Sequence, residues 1–174
     1  MIRHRLRAAA LLVATSLVPF GAGAQAAQDA VIPLSAFPRE RIVIETHSAR
    51  QHSFEAWRAD TPATRVQGLM YVRDMQPAQA MIFVYGPPQH VAMWMKNTLL
   101  PLDMLFVDAA GCVVSVVSNA RPGSLAMIAA NVPVVLVVEL KGGIAKTLGI
   151  GSGDRVRRPE ADWPAPGIPC TRAD

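Results

Sequence analysis

Hydrophobic positions fall into three regimes along the chain. Ala8 to Phe20 is an uncharged, mostly apolar stretch behind Arg3, Arg5 and Arg7, and it is followed by the small-residue sequence Ala22-Gly23-Ala24. This pattern of positive start, apolar middle and small-x-small exit predicts a removable signal peptide over residues 1–24. Residues 25–38 are rich in Ala, Gln and Pro without a sustained period, which predicts a flexible lead-in. From Arg39 the pattern becomes one of short β-branched or apolar runs separated by turn residues.

Arg41 to Thr46 and Ser53 to Arg58 predict a hairpin turning around Ser48 to Gln51. The period then changes. Thr61 before Pro62 is an N-cap and first-turn pair, and Val66, Leu69, Met70 and Arg73 follow helical spacing, so a helix from Pro62 to about Tyr71 is expected. Further strands are expected at Met81 to Tyr85, Val91 to Met95, Met104 to Asp108, Val113 to Ser118, Val134 to Leu140 and Arg155-Val156, with a helical turn at Ile144 to Leu148. No long helix intervenes between successive strands. The expected fold class is therefore mainly β, a single-domain β-sandwich or jelly-roll-like barrel with one or two short helices, spanning residues 39–158. An irregular Pro-rich tail, 159–174, follows it.

Composition removes several function classes. The formal charge of +4 owes three of its 17 basic residues to the leader, so the remainder has 14 basic against 13 acidic residues, a net of +1. No nucleic-acid partner is expected of so neutral a domain. Although 51% of residues are hydrophobic, the longest hydrophobic run after the leader is Pro133 to Leu140, itself interrupted by Glu139, so no membrane span is expected once the signal is cleaved. The expected location is periplasmic or secreted. Cys112 and Cys170 are the two cysteines. An even count in an oxidising compartment permits one bridge, worth about 4 kcal/mol for a loop of that length; two unpaired thiols are the other reading.

The run Met93-Trp94-Met95-Lys96-Asn97-Thr98-Leu99-Leu100-Pro101-Leu102-Asp103-Met104-Leu105-Phe106-Val107-Asp108 resembles the signature of the domain-of-unknown-function-192 family. Arg65-Val66-Gln67-Gly68-Leu69-Met70 with Arg73, the strand Met81 to Tyr85, Val138-Glu139-Leu140 with Gly143, and Gly149-Ile150 with Gly153-Asp154 and Val156 are similar to its other segments. The resemblance covers residues 41 to 157 and implies a small, mainly β fold, often exported, with no assigned activity. Ala80, where the family usually carries Gly, and Cys112, where another residue is usual, are departures.

Strand alternation over Val91 to Thr98 would put Met93, Met95 and Asn97 on one face and Trp94, Lys96 and Thr98 on the other. A strand opening on a cleft at one end would let Lys96, Asn97, Thr98 and Asp103 converge beside Trp94 with Arg65 and Arg73 on a small polar ligand. The plainer reading pairs Lys96 with Asp103 or Asp108 and uses Asn97 and Thr98 to close a turn. The leading expectation is a non-catalytic module that binds a small molecule or an envelope protein, with no cofactor and no metal. One alternative is an envelope hydrolase using Asp103 or Glu139 as general acid or base. Another is a copper protein, since His90, Met93 and Met95 offer soft donors, although methionine is also the ordinary filler of irregular cores. No nucleophile elbow, His-Glu-x-x-His or phosphate loop is present.

Overall fold

The hairpin forms first along the chain, from β1 (Arg39–Glu45) and β2 (Gln51–Ala59), paired antiparallel from Arg39 opposite Trp57 to Glu45 opposite Gln51. A computed structural model describes residues 31–164 and 169–171; the expected signal peptide and residues 25–30 lie outside the described residues. From Ile32 onward the chain is one compact unit. Its remaining elements are α1 (Pro62–Gln67), β3 (Gln79–Gln89), β4 (Ala92–Met93), β5 (Leu102–Val107), β6 (Val113–Ala120), β7 (Ile128–Ala129), β8 (Val134–Lys141), α2 (Ile144–Leu148) and β9 (Arg155–Arg157).

Seven strands form one sheet in the order β6-β5-β8-β3-β2-β1-β9, and β4 and β7 form a separate ribbon. All neighbours described are antiparallel except β2 and β3, which run parallel because α1 makes a short crossover between them. The sheet curls until its ends meet: Cys112 bridges Arg155, and the Val113 and Val156 N–H groups donate to Asp154 and Gly111 carbonyls. The fold is thus mainly β, a sandwich-like half-barrel with two short helices, as the spacing of apolar runs implies.

Strand alternation divides the interior in two. One apolar cluster, to which all seven strands contribute, includes Ile42, Phe54, Ile82, Leu105, Val113, Val138 and Val156. The other lies on the opposite face, where Met81, Phe83, Met104, Phe106 and Val137 pack under Leu69, Met75, Met93 and Met95. The buried first half of β3 and the buried residues of β8 contribute to both clusters.

Helix α1 is shorter than its periodicity predicts. Thr61 and Thr64 form a reciprocal capping box, with the Thr61 hydroxyl accepting from the Thr64 N–H and the Thr64 hydroxyl accepting from the Thr61 N–H. Gly68 then ends the helix with φ of +49°, and a Cβ there would lie 2.8 Å from Phe83 Cζ. Close approach to the sheet, together with a backbone angle that glycine tolerates best, stops the helix one turn early.

The packed chain also begins earlier than Arg39. Gln67 clamps both backbone groups of Ile32 through its side-chain amide, and Phe37 is buried. At the other end Cys112 and Cys170 form a disulfide, which ties the tail to the start of β6. Arg158 and Arg58 both reach the Glu40 carboxylate, whose side chain is 6% exposed. Burial pushes that carboxyl up, but the hydrogen bonds and charges of the two guanidinium groups outweigh it and hold it below its ordinary value.

Candidate functional site

Glu139 is the one carboxylate in the apolar run of β8, opposite Met81 on β3 and Met104 on β5. Alternation sends it to the Phe83 and Val137 side of the sheet, where it is 3% exposed. Its Oε2 is buried without a hydrogen-bond partner. Burial alone pushes the carboxyl up to about 8, so at neutral pH it is largely the uncharged acid.

Above Glu139 the packing is incomplete. A recess of about 20 Å³ lies between it, Phe83, Gly68, Leu69, Met93 and Thr98. It shares Arg65, Val66, Met93 and Trp94 with a wider cleft of about 420 Å³, which Tyr85 and Met127 also line. Helix α1 forms one wall because it stops at Gly68, and the β4–β7 ribbon forms the other. Met93 pairs with Ile128 in that ribbon, and the Met95 N–H donates to the Ser124 carbonyl.

Polar groups on the walls are fixed by the backbone. Arg65 Nη1 donates to the Asp60 and Val84 carbonyls, and its guanidinium lies 5.5 Å from the Tyr85 ring centre. The Tyr85 hydroxyl donates to Met93 Sδ at 3.3 Å. Burial, and then the Glu139 charge, push that phenol up to about 12, with Arg65 opposing. The site therefore offers one neutral carboxyl at its floor, a held guanidinium on its wall and aromatic or thioether surface around its mouth.

Of the residues expected at a site, Arg65, Trp94 and Thr98 line this cleft or its recess. Lys96 and Asn97 line a neighbouring groove with Thr98, Leu99, Pro122 and Leu125. Lys96 sits over the Trp94 ring at 5.2 Å instead of against Asp103 or Asp108. Asn97 has φ of +56° and donates to the Tyr71 hydroxyl at 2.8 Å. That left-handed residue breaks the alternation after Met95, so Thr98 turns inward and Asn97 outward, the reverse of a continuous strand.

Asp103 and Arg73 do not join the others. Asp103 points to the other face of the sheet, where its oxygens accept from the Asn119 and Ala145 N–H groups, each at 2.8 Å. Arg73 is exposed beyond α1 and lines neither wall of the cleft. Met93 and Met95 are buried core side chains while His90 is exposed, so these three do not present a common donor set. Glu139 stands outside the expected binding set, and its only signal in the sequence is an acidic residue inside an apolar run.

A family model for domain of unknown function 192, described as an uncharacterized ACR, matches residues 43–158. The chain belongs to this family. A Sinorhizobium meliloti 1021 protein described as a proposed transcription regulator is similar in structure: it is 43% identical, the match covers 71% of this chain and 95% of that one, and the TM-score is 0.69. A protein of unknown function from Novosphingobium aromaticivorans DSM 12444 is 34% identical over 79% of this chain and 99% of its own, also with a TM-score of 0.69. No curated protein matches. No helix among the described residues is long and apolar enough to cross a membrane.

Proposed function

We propose that this DUF192 protein is an exported ligand-binding module whose site is the cleft between α1 and the β4–β7 ribbon. The observation that carries the reading is the orphaned Oε2 of Glu139 beneath an open cleft. A buried polar atom without a partner is destabilising, and it persists where another group completes it. The small recess suits the end of a ligand bearing a hydroxyl, amine or carbonyl, since a neutral carboxyl both donates and accepts. The body of such a ligand rests on Trp94, Tyr85 and Met93, beside Arg65.

Binding is favoured over hydrolysis because the two carboxyls considered for acid–base work lie on opposite faces of the sheet. Asp103 has both oxygens occupied by backbone N–H groups, so the paired carboxyls typical of glycoside hydrolysis do not form. Regulation through DNA, suggested by the description of the Sinorhizobium meliloti protein, has little support: the helices contain six and five residues, short for reading a groove. A periplasmic or secreted location fits the Arg-led apolar leader and the Cys112–Cys170 bridge.

Native mass spectrometry of the protein purified from an envelope fraction tests this. The wild type is expected to retain a small-molecule mass that Glu139→Met, of similar shape but without the carboxyl, does not. A bare wild-type mass, or equal retention by both, contradicts the reading.

A further inference from the structure

Large apolar side chains exposed among the described residues are not spread evenly. Of eight, Val66, Tyr71, Trp94, Leu99, Leu125 and Met127 gather at one end of the fold, around the cleft and the adjoining groove. Leu125 and Met127 are 67% and 66% exposed, far beyond what packing against neighbours would leave. The loop that carries them is held to the loop that carries Leu99, with the Gly123 N–H donating to the Met95 and Thr98 carbonyls. These side chains therefore form one surface of joined patches rather than scattered points.

Charge on this surface has one sign. The sequence from Met75 to Leu102 contains no carboxylate and one cation, Lys96; the sequence from Ala109 to Val138 contains no carboxylate and one cation, Arg121. The acids that flank α1 are already engaged, Asp60 by Arg58 and Asp74 by Lys141. Lys96 and Trp94 are both exposed, and the Lys96 ammonium lies over the Trp94 ring, 5.2 Å from its centre. Protruding Leu and Met, an amphipathic Trp and cations without acids are the combination that enters a bilayer interface, where apolar tips reach the acyl boundary and ammonium groups meet phosphates.

We propose that this end of the protein docks on the surface of a bilayer containing anionic lipid, through Leu99, Leu125 and Met127 with Lys96 and Arg121. The inference rests on exposure and charge and is independent of what occupies the cleft. It gives the cleft a setting, because its mouth opens among the docking residues.

Vesicle flotation of the full exported protein tests the proposal. The wild type is expected to float with phosphatidylglycerol–phosphatidylethanolamine vesicles, to float less as salt is raised, and not to float with phosphatidylcholine alone. The double variant Leu99→Glu, Leu125→Glu is expected to partition at least about tenfold less, with its melting temperature and any cleft-bound small molecule unchanged. Arg121→Glu is expected to lose about fivefold or more. Failure of the wild type to float with the anionic vesicles, or equal flotation by the double variant, overturns the proposal. So does capture of an envelope protein by the wild type and not the double variant without any flotation, which would make this a protein-docking face. Loss of small-molecule retention with flotation intact would instead count only against the ligand-binding reading.

Discussion

Asp103 and Glu139 sit one register position apart on paired strands, Asp103 opposite Leu140 and Met104 opposite Glu139, yet they face opposite sides of the sheet. Both are buried. Asp103 receives two backbone N–H groups, whereas Glu139 keeps one oxygen without a partner. The same side-chain chemistry thus does two jobs: one carboxyl fastens the chain, and the other faces a cleft.

Asp103→Ala removes the acceptor for two N–H groups, those of Asn119 and Ala145, the second of them in a buried bond. It should destabilise the fold by about 3 kcal/mol in urea unfolding. Because the side chain faces away from the cleft, small-molecule retention by the protein that remains folded should not change.

Glu139 makes stability depend on pH in an unusual direction. A carboxyl pushed up to about 8 in the folded state, against an ordinary value of 4.5, keeps its proton over a range where the unfolded chain has lost it. The folded state then binds more protons, so this group lowers stability as pH rises from about 4.5 to about 8. Glu139→Gln, which cannot ionise, should melt higher than the wild type at pH 8, and the gap should narrow towards pH 5.

Much of this fold can be read from the runs of residues themselves. The hairpin at β1 and β2 and the strands β5, β6 and β8 follow from β-branched, alternating or continuous apolar segments long enough to be seen. The ribbon strand β7 does not, because the two residues Ile128 and Ala129 carry no period at all. The helix is announced by Thr61-Pro62, but its end is set by Phe83, which lies far along the chain from Gly68. At the site, Arg65 and Trp94 are legible as unusual residues in a marked segment. Thr98 is legible only by type, since the left-handed turn at Asn97 decides which way it points. Glu139 is legible as an acid in an apolar run, and so as a candidate acid or base, but its missing partner is not, because no local pattern says that a carboxyl in a strand lacks one.

Glu40 shows the opposite linkage. Arg158 and Arg58 hold it below its ordinary value against the effect of burial, so its stabilising contribution is present above pH 4.5 and is lost as pH falls through the lowered folded value. Arg158→Met should destabilise the protein by about 2 kcal/mol at pH 7, and the difference from wild type should shrink in acid melts.

Cys170→Ser frees the tail from the start of β6. With a sequence separation of 58 between the bridged residues, the loss is about 4 kcal/mol, measured as a lower urea midpoint that reductant reproduces in the wild type. Neither cysteine lines the cleft, so binding there should survive where the variant remains folded.

The carboxyl of Glu139 can be watched directly by carbon-13 NMR during a pH titration, with and without a small-molecule extract of the envelope. The account predicts a midpoint near 8 that moves when the extract is added. A midpoint in the ordinary range near 4.5, or one near 8 that the extract leaves in place, would contradict it.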